Sequence, residues 1–233
     1  MTEPLLTINN GNTNTSVGTY NQGLDKVVPL EDLAQDLKLK ATHVLSANVG
    51  PDFEKWDGPK FISLCEIRNE DSLLAMPINY SNTIGEDRLA GAYWVYKNWI
   101  QTKKANRVML IDAGTFTTLD LITNDGFEGG HIFPGTDTLL KSFSNGTKLP
   151  RLRIREMKEV SSLPKNTEEA IFGSVQLAER GLIEKWWDKF RPEIIILSGG
   201  LSFWYEKYLP REIIKEPNLV HLGLHQVFKD MTH

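Results

Sequence analysis

The chain has 233 residues, enough for one large domain or two small ones sharing a cleft, and its 40% hydrophobic and 24% charged content is that of a globular protein. A formal net charge of -4 gives no ground for a broad surface against a phosphate backbone, so nucleic acid is not the expected partner. Cys65 is the only cysteine, which excludes an internal disulfide and any multi-cysteine metal site; no apolar run can span a bilayer and no leader pattern opens the sequence, so no membrane partner is expected and the expected compartment is the cytoplasm.

Apolar patterning predicts a hairpin from strands at 5–8 and 14–20, a short helix over 30–39 and a strand at 42–47. Signals are mixed over 52–76, where 61–65 has strand character. The spacing of Leu89, Ala92, Tyr93, Tyr96 and Trp99 predicts a helix, which leads through a basic loop at 101–107 into a second hairpin. That loop is the expected boundary between halves 1–105 and 106–233, and its Lys103, Lys104 and Arg107 read as a solvated surface. Beyond the outgoing strand at 116–123 come a glycine-dense loop at 129–135, a helix at 138–143, a long helix at 167–189 and a strand at 193–197 that ends in Ser198-Gly199-Gly200.

The two hairpins share a motif. Leu5-Leu6-Thr7-Ile8 runs into Asn9-Asn10-Gly11-Asn12-Thr13, and Val108-Met109-Leu110-Ile111 runs into Asp112-Ala113-Gly114-Thr115. Glycine admits close approach of an anion to the backbone, N–H groups and hydroxyls donate to phosphate oxygens, and a carboxylate at the strand end can hold a cation. Either turn alone is most simply an ordinary hairpin; the duplication points to a nucleotide held between them.

Gly85-Glu86-Asp87-Arg88 sets an acid beside a guanidinium at a helix start. Asp87 could take a proton from a substrate hydroxyl while Arg88 grips an anionic group bidentately, or Asp87 could cap the helix while Arg88 makes a surface ion pair; the residues alone favour the cap. The 129–135 stretch could pass close to a ligand or be purely structural, and His131 within it has no companions at metal-ligand spacing. In Asn166-Thr167-Glu168-Glu169 either Asn166 or Thr167 can be a helix cap, and Thr167 could contact a ligand. No P-loop, dinucleotide fingerprint or serine-nucleophile elbow is present.

Taken in order, these motifs resemble the type III pantothenate kinases of the acetate and sugar kinase, heat-shock and actin superfamily. Asn9-Asn10-Gly11-Asn12-Thr13 stands for the family's D-x-G-N-T, Gly85-Glu86-Asp87-Arg88 for G-x-D-R, and Asp112-Ala113-Gly114-Thr115 for D-x-G-T. The resemblance implies an α/β fold of two actin-like (ribonuclease H-like) halves with a nucleotide cleft between them. It also implies a homodimer, and transfer of the γ-phosphoryl group of ATP, carried with Mg2+, to the primary hydroxyl of pantothenate. By the same resemblance Asp87 is the general base, and Tyr80, Gly85, Glu86, Arg88 and Thr167 bind substrate, although Tyr80 stands closer to Gly85 than the family's tyrosine usually does. Asn9, Asn10, Gly11, Asn12, Thr13, Asn14, Thr15, Ser16 and Thr115 meet ATP, and Asp112 holds a monovalent cation, K+ or NH4+.

Asn9 departs from the family's aspartate. Asparagine keeps the shape and an acceptor oxygen but loses the charge, a change of about 1–3 kcal/mol in a contact to a hydrated metal, or roughly one to two powers of ten in rate. The sequence therefore admits a second reading, a weakly active or inactive homologue that acts by binding ligand or as a regulator.

Overall fold

Twice along the chain an apolar strand enters a short glycine turn, returns antiparallel and grows into a five-stranded sheet. The computed structural model describes residues 5–21, 23–207, 209 and 213–232. In the first sheet β1 (Leu5–Asn10), β2 (Thr15–Tyr20) and β3 (Leu24–Pro29) form an antiparallel meander. After a 3-10 turn at Leu30–Asp32 and the short helix α1 (Gln35–Lys40), β4 (His43–Asn48) runs parallel to β1 and β5 (Lys60–Ser63) parallel to β4. Helix α2 (Leu64–Ile67) and a small hairpin of β6 (Ser72–Leu73) and β7 (Met76–Pro77) lead to α3 (Glu86–Val95), which continues through a π turn at Tyr96–Ile100.

The second sheet repeats the plan. Strands β8 (Arg107–Ala113), β9 (Phe116–Thr123) and β10 (Gly126–Pro134) form the meander, then come α4 (Thr136–Ser142), the long α5 (Thr167–Phe190) and β11 (Ile194–Ser198), parallel to β8. The described chain closes with α6 (Ser202–Tyr205), β12 (Ile213–Lys215) parallel to β11, and α7 (Leu219–Thr232). The strand orders, β3-β2-β1-β4-β5 and β10-β9-β8-β11-β12, are the same fold written twice. The repetition first visible in two turns thus extends through whole sheets. Central strands such as β4 and β11 bury consecutive residues (Val44, Leu45; Ile195, Ile196, Leu197), as parallel strands covered on both faces do.

Helices α3 and α7 fill the space between the sheets. Leu89 and Tyr93 of α3 and Leu224 and Val227 of α7 share one core with Leu5 and Leu45 of the first sheet and Val108, Leu110 and Ile122 of the second. Gly223 makes the helix contact possible, since a Cβ there would strike the carbonyl of Ala90. A second core packs α4, α5 and α6 against the other face of the second sheet, through Met109, Ile111, Phe172, Ile183 and Trp204.

Several expected boundaries move for local reasons. The helix expected at 30–39 splits into the 3-10 turn and α1. The strand expected at 61–65 stops at Ser63, which forms a capping box with Glu66 and turns the chain into α2. The glycine-dense stretch 129–135 is chiefly the strand β10, irregular between Phe127 and Gly129, rather than a loop. Helix α7 lies beyond the last predicted element and packs on α3, β1 and β4. Among the described residues, no helix is long and apolar enough to cross a membrane.

Candidate functional site

The two glycine turns occupy equivalent places in the two sheets. Asn9, next to last in β1, pairs with Ser16 and Ala47; Asp112, next to last in β8, pairs with Thr118 and Ser198. The turns meet, with Thr13 Oγ1 2.7 Å from Thr115 Oγ1. Between them lies a cavity of about 540 Å³. Of the residues singled out from sequence, Asn9, Gly11, Asn12, Thr13, Asn14, Tyr80, Gly85, Asp87, Arg88, Asp112 and Thr115 line it.

Asn10, Thr15, Ser16, Glu86 and Thr167 are absent from that lining. Asn10 is a buried brace: its Nδ2 donates to Pro51 O at 2.7 Å, its Oδ1 accepts from Thr15 Oγ1 at 2.7 Å, and its carbonyl takes the N–H groups of Val49 and Gly50. Ser16 turns its hydroxyl to His221. The Glu86 carboxylate faces away from the cavity, accepting from Asn48 N, Ser63 Oγ and Cys65 N. Thr167 is exposed as the first residue of α5, and Asn166 is the cap, its side chain accepting from Glu169 N. The N–H groups of Gly11 and Gly114 are engaged inside their own turns, donating to Asn14 O and Phe116 O, so they are not free phosphate donors.

Asp87 does not cap α3. Gly85 holds that position without a side-chain bond, and Asp87 lies in the first turn, its Oδ1 accepting the Arg88 N–H at 2.7 Å. A Cβ at Gly85 would lie 2.6 Å from Asp87 Oδ1, so a larger residue there would push that carboxylate aside. Burial raises the Asp87 carboxyl above the ordinary carboxylate range, against the opposing pull of the Arg88 backbone bond and guanidinium.

Arg88 is no surface residue. It is 6% exposed, and its Nε and Nη2 donate to the two oxygens of buried Asp120 at 3.1 and 2.5 Å, with the Tyr80 and Phe127 rings 5.3 and 5.5 Å from its guanidinium carbon. The Nε/Nη2 edge of the guanidinium is therefore occupied by Asp120, which leaves the N–H donors of Nη1 and the second of Nη2 for an anion. Gly130 makes this possible, since a Cβ there would collide with Asp120, and Gly129 (φ 107°) lets β10 pass beside Tyr80. These glycines serve the ion pair, which the 129–135 pattern did not disclose. The available signal was Asp120 itself, one carboxylate inside the apolar run Leu119-Asp120-Leu121-Ile122.

Burial pushes the Asp112 carboxyl up to about 7, with the carboxylates of Asp87 and Asp120 adding to the effect. Gly199 (φ 90°) lies so close that a Cβ would sit 2.5 Å from Asp112 Oδ1. Asn9 Oδ1 is buried without a hydrogen-bond partner. Among the described residues no group of three His, Cys, Asp or Glu side chains is placed to hold a metal ion, so the acceptor oxygens the cavity offers a hard cation are those of Asn9, Asp87 and Asp112, with both oxygens of Asp120 engaged by Arg88.

A family model described as type III pantothenate kinase matches residues 27–189, a span that begins beyond the first glycine turn. The chain is 33% identical over 159 residues to a type III pantothenate kinase of Cupriavidus taiwanensis, covering 61% of this chain and 55% of that relative. It is 28% identical over 233 residues to one of Cytophaga hutchinsonii, covering 94% and 96%. The alignment thus spans little more than half of the first relative and nearly all of the second. Among solved structures it resembles a conserved Baf family protein of Campylobacter jejuni (TM-score 0.62, 20% identity, 97% and 98% of the two chains) and an archaeal actin homologue (TM-score 0.51, 9% identity, 97% and 99%). The likeness establishes a two-lobed, actin-like α/β fold.

Proposed function

The chain belongs to the type III pantothenate kinase family, and on that premise we propose that it transfers the γ-phosphoryl group of ATP to the primary hydroxyl of pantothenate, giving 4'-phosphopantothenate, the first step towards coenzyme A. The observation that carries this reading is that one cavity holds both glycine turns together with Asp87, Arg88 and Asp112. Phosphoryl transfer depends mainly on positioning and charge. Asp87 is the general base: its raised carboxyl accepts the hydroxyl proton more readily than a free aspartate would. Arg88, held by Asp120 through Nε and Nη2, presents its remaining N–H donors, on Nη1 and Nη2, to the pantothenate carboxylate beside Tyr80. Asn12, Thr13, Asn14 and Thr115 face the phosphates, and Gly199 and Gly200 lie on the adenosine side. Asn9 would hold magnesium with ATP and Asp112 a potassium or ammonium ion, and bound there the cations would offset phosphate charge. Asn10 and Glu86 act from behind, bracing the first turn and the start of α3.

The deciding experiment measures phosphopantothenate formation with Mg-ATP and potassium or ammonium, for the native chain and Asn9→Asp in parallel. Turnover by the native chain is the expected result, and Asn9→Asp raises it by roughly ten- to a hundredfold. Silence from both with folded protein would refute the kinase, whereas activity in Asn9→Asp alone would make ligand binding the native role.

The reading includes a cytoplasmic homodimer. Thr167 lies off the cavity of its own chain, so contact with substrate requires a second copy to bring it. Mixing inactive Asp87→Asn with Thr167→Arg should then restore roughly a quarter of wild-type activity, because in half the dimers one site escapes both lesions. No rescue would place Thr167 outside the site.

A further inference from the structure

Behind the first glycine turn lies a buried polar chain that none of the roles above explains. His221, 3% exposed in the first turn of α7, has both ring nitrogens engaged: Nδ1 is 2.8 Å from Thr7 Oγ1 on β1, and Nε2 is 2.9 Å from Ser16 Oγ on β2. Thr7 Oγ1 is also 2.7 Å from Tyr20 OH, which donates to the carbonyl of His221 itself at 2.8 Å.

Counting protons fixes every direction in this ring of contacts. A carbonyl only accepts, so the one Tyr20 proton points to His221 O. Thr7 must then donate to Tyr20, which leaves Thr7 Oγ1 as acceptor from His221 Nδ1–H. The imidazole carries its proton on Nδ1, and Nε2 accepts the proton of Ser16. Burial pushes the imidazole down to about 4, so this neutral tautomer persists at ordinary pH. Gly18, in the middle of β2, leaves the space open: a Cβ there would lie 2.6 Å from Thr7 Oγ1 and 3.0 Å from His221 Nδ1.

We infer that His221 is the positioning residue of the first phosphate turn, locking the Ser16 hydroxyl inward and keying β1 and β2 to α7. The other face of α7 packs on α3 where Gly223 meets Ala90 and where Tyr93 OH donates to Asp230 at 2.7 Å. Helix α7 is therefore a strut between the turn that faces the phosphates and the helix that carries Asp87. The link to nucleotide rests on the kinase reading; the strut itself does not.

Two variants separate the bonds. His221→Asn keeps an amide donor where Nδ1 stood and loses the acceptor for Ser16; His221→Gln reaches the Nε2 position and keeps it. With His221→Asn, amide hydrogen exchange across residues 9–16 should quicken, and the KM for ATP should rise by about five- to tenfold with kcat and the KM for pantothenate little changed. His221→Gln should stay within about twofold of wild type. Nitrogen NMR of the wild-type ring should show the Nδ1–H tautomer. An Nε2–H tautomer, unchanged exchange over 9–16 in a folded His221→Asn, or equal damage in both variants would overturn the positioning role. Accelerated exchange in a protein whose wild type makes no phosphopantothenate would instead leave the strut standing and remove the kinase.

Discussion

Asp87→Asn lowers the turnover of pantothenate by about a hundredfold to ten-thousandfold, the range lost when a general base is removed, while the protein stays folded. The substitution keeps an oxygen for the Arg88 N–H and removes only the ability to take a proton. Stability should not suffer, because burial already disfavours the charged form of Asp87. The sign follows from linkage: with a raised native pKa the folded state holds the proton to higher pH than the unfolded chain, so ionising Asp87 weakens the fold as pH rises. Wild type should therefore lose stability relative to Asp87→Asn as pH rises above the ordinary aspartate range. Activity has the opposite requirement, since the base must be ionised, and the acid limb of kcat/KM should lie above the pH at which a free aspartate titrates. Asp112, pushed up to about 7 in the same cavity, couples to it, so the limb belongs to the pair. Rate profiles between pH 5 and 8 with thermal unfolding at each pH test this. Retention of more than a tenth of wild-type turnover by Asp87→Asn would assign the proton to another acceptor.

The sequence disclosed most where chemistry and chain direction coincide. Two apolar strands, each ending in an amide or carboxylate and a glycine, were legible because such turns are local, and the sheets grew from them as expected. Strand β3 was not, because Leu24-Asp25-Lys26-Val27-Val28-Pro29 buries no residue fully and lacks the alternation of a half-buried strand. Helix α7 has a clear apolar face, yet nothing in its order along the chain says that it returns to the first sheet. The same limit applies at the site. Asp87 and Arg88 are neighbours in sequence, and the residues alone favour a helix cap and a surface pair over a base and an anion grip. Arg88 proves buried only because Asp120, 32 residues on, lies beneath it. His221 and Ser16 are 205 residues apart, and no spacing rule connects them. Residues that touch ligand tend to sit in local motifs; those that hold them come from anywhere in the chain.

Asp120→Ala should be the most destabilising single change at the site. It leaves the Arg88 guanidinium buried at 6% exposure without its hydrogen-bonded counter-charge and its Nε without an acceptor, a situation that costs about 3–5 kcal/mol, or on the order of 10 °C in thermal midpoint for a chain of this size. Asp120→Asn keeps one acceptor oxygen and should lose less. The pair need not be there for stability, however. Removing both charges together, as in Arg88→Met with Asp120→Leu, lets apolar side chains pack against Tyr80 and Phe127 and should recover most of the loss, because two desolvated ions are exchanged for a dry contact. Such a double variant should unfold near the wild-type temperature and yet fail to saturate with pantothenate, since the guanidinium proposed to meet the substrate carboxylate has gone. Calorimetry and substrate titration on the three variants decide the matter. If the double variant remained as unstable as Asp120→Ala, the ion pair would be a structural requirement of β9 and α3. If it recovered its stability and still bound pantothenate, Arg88 would have no part in recognition. Stable but blind to substrate is the expected result, and it would mean that Asp120 is kept to hold a binding group in place in an interior that does not otherwise need a charge.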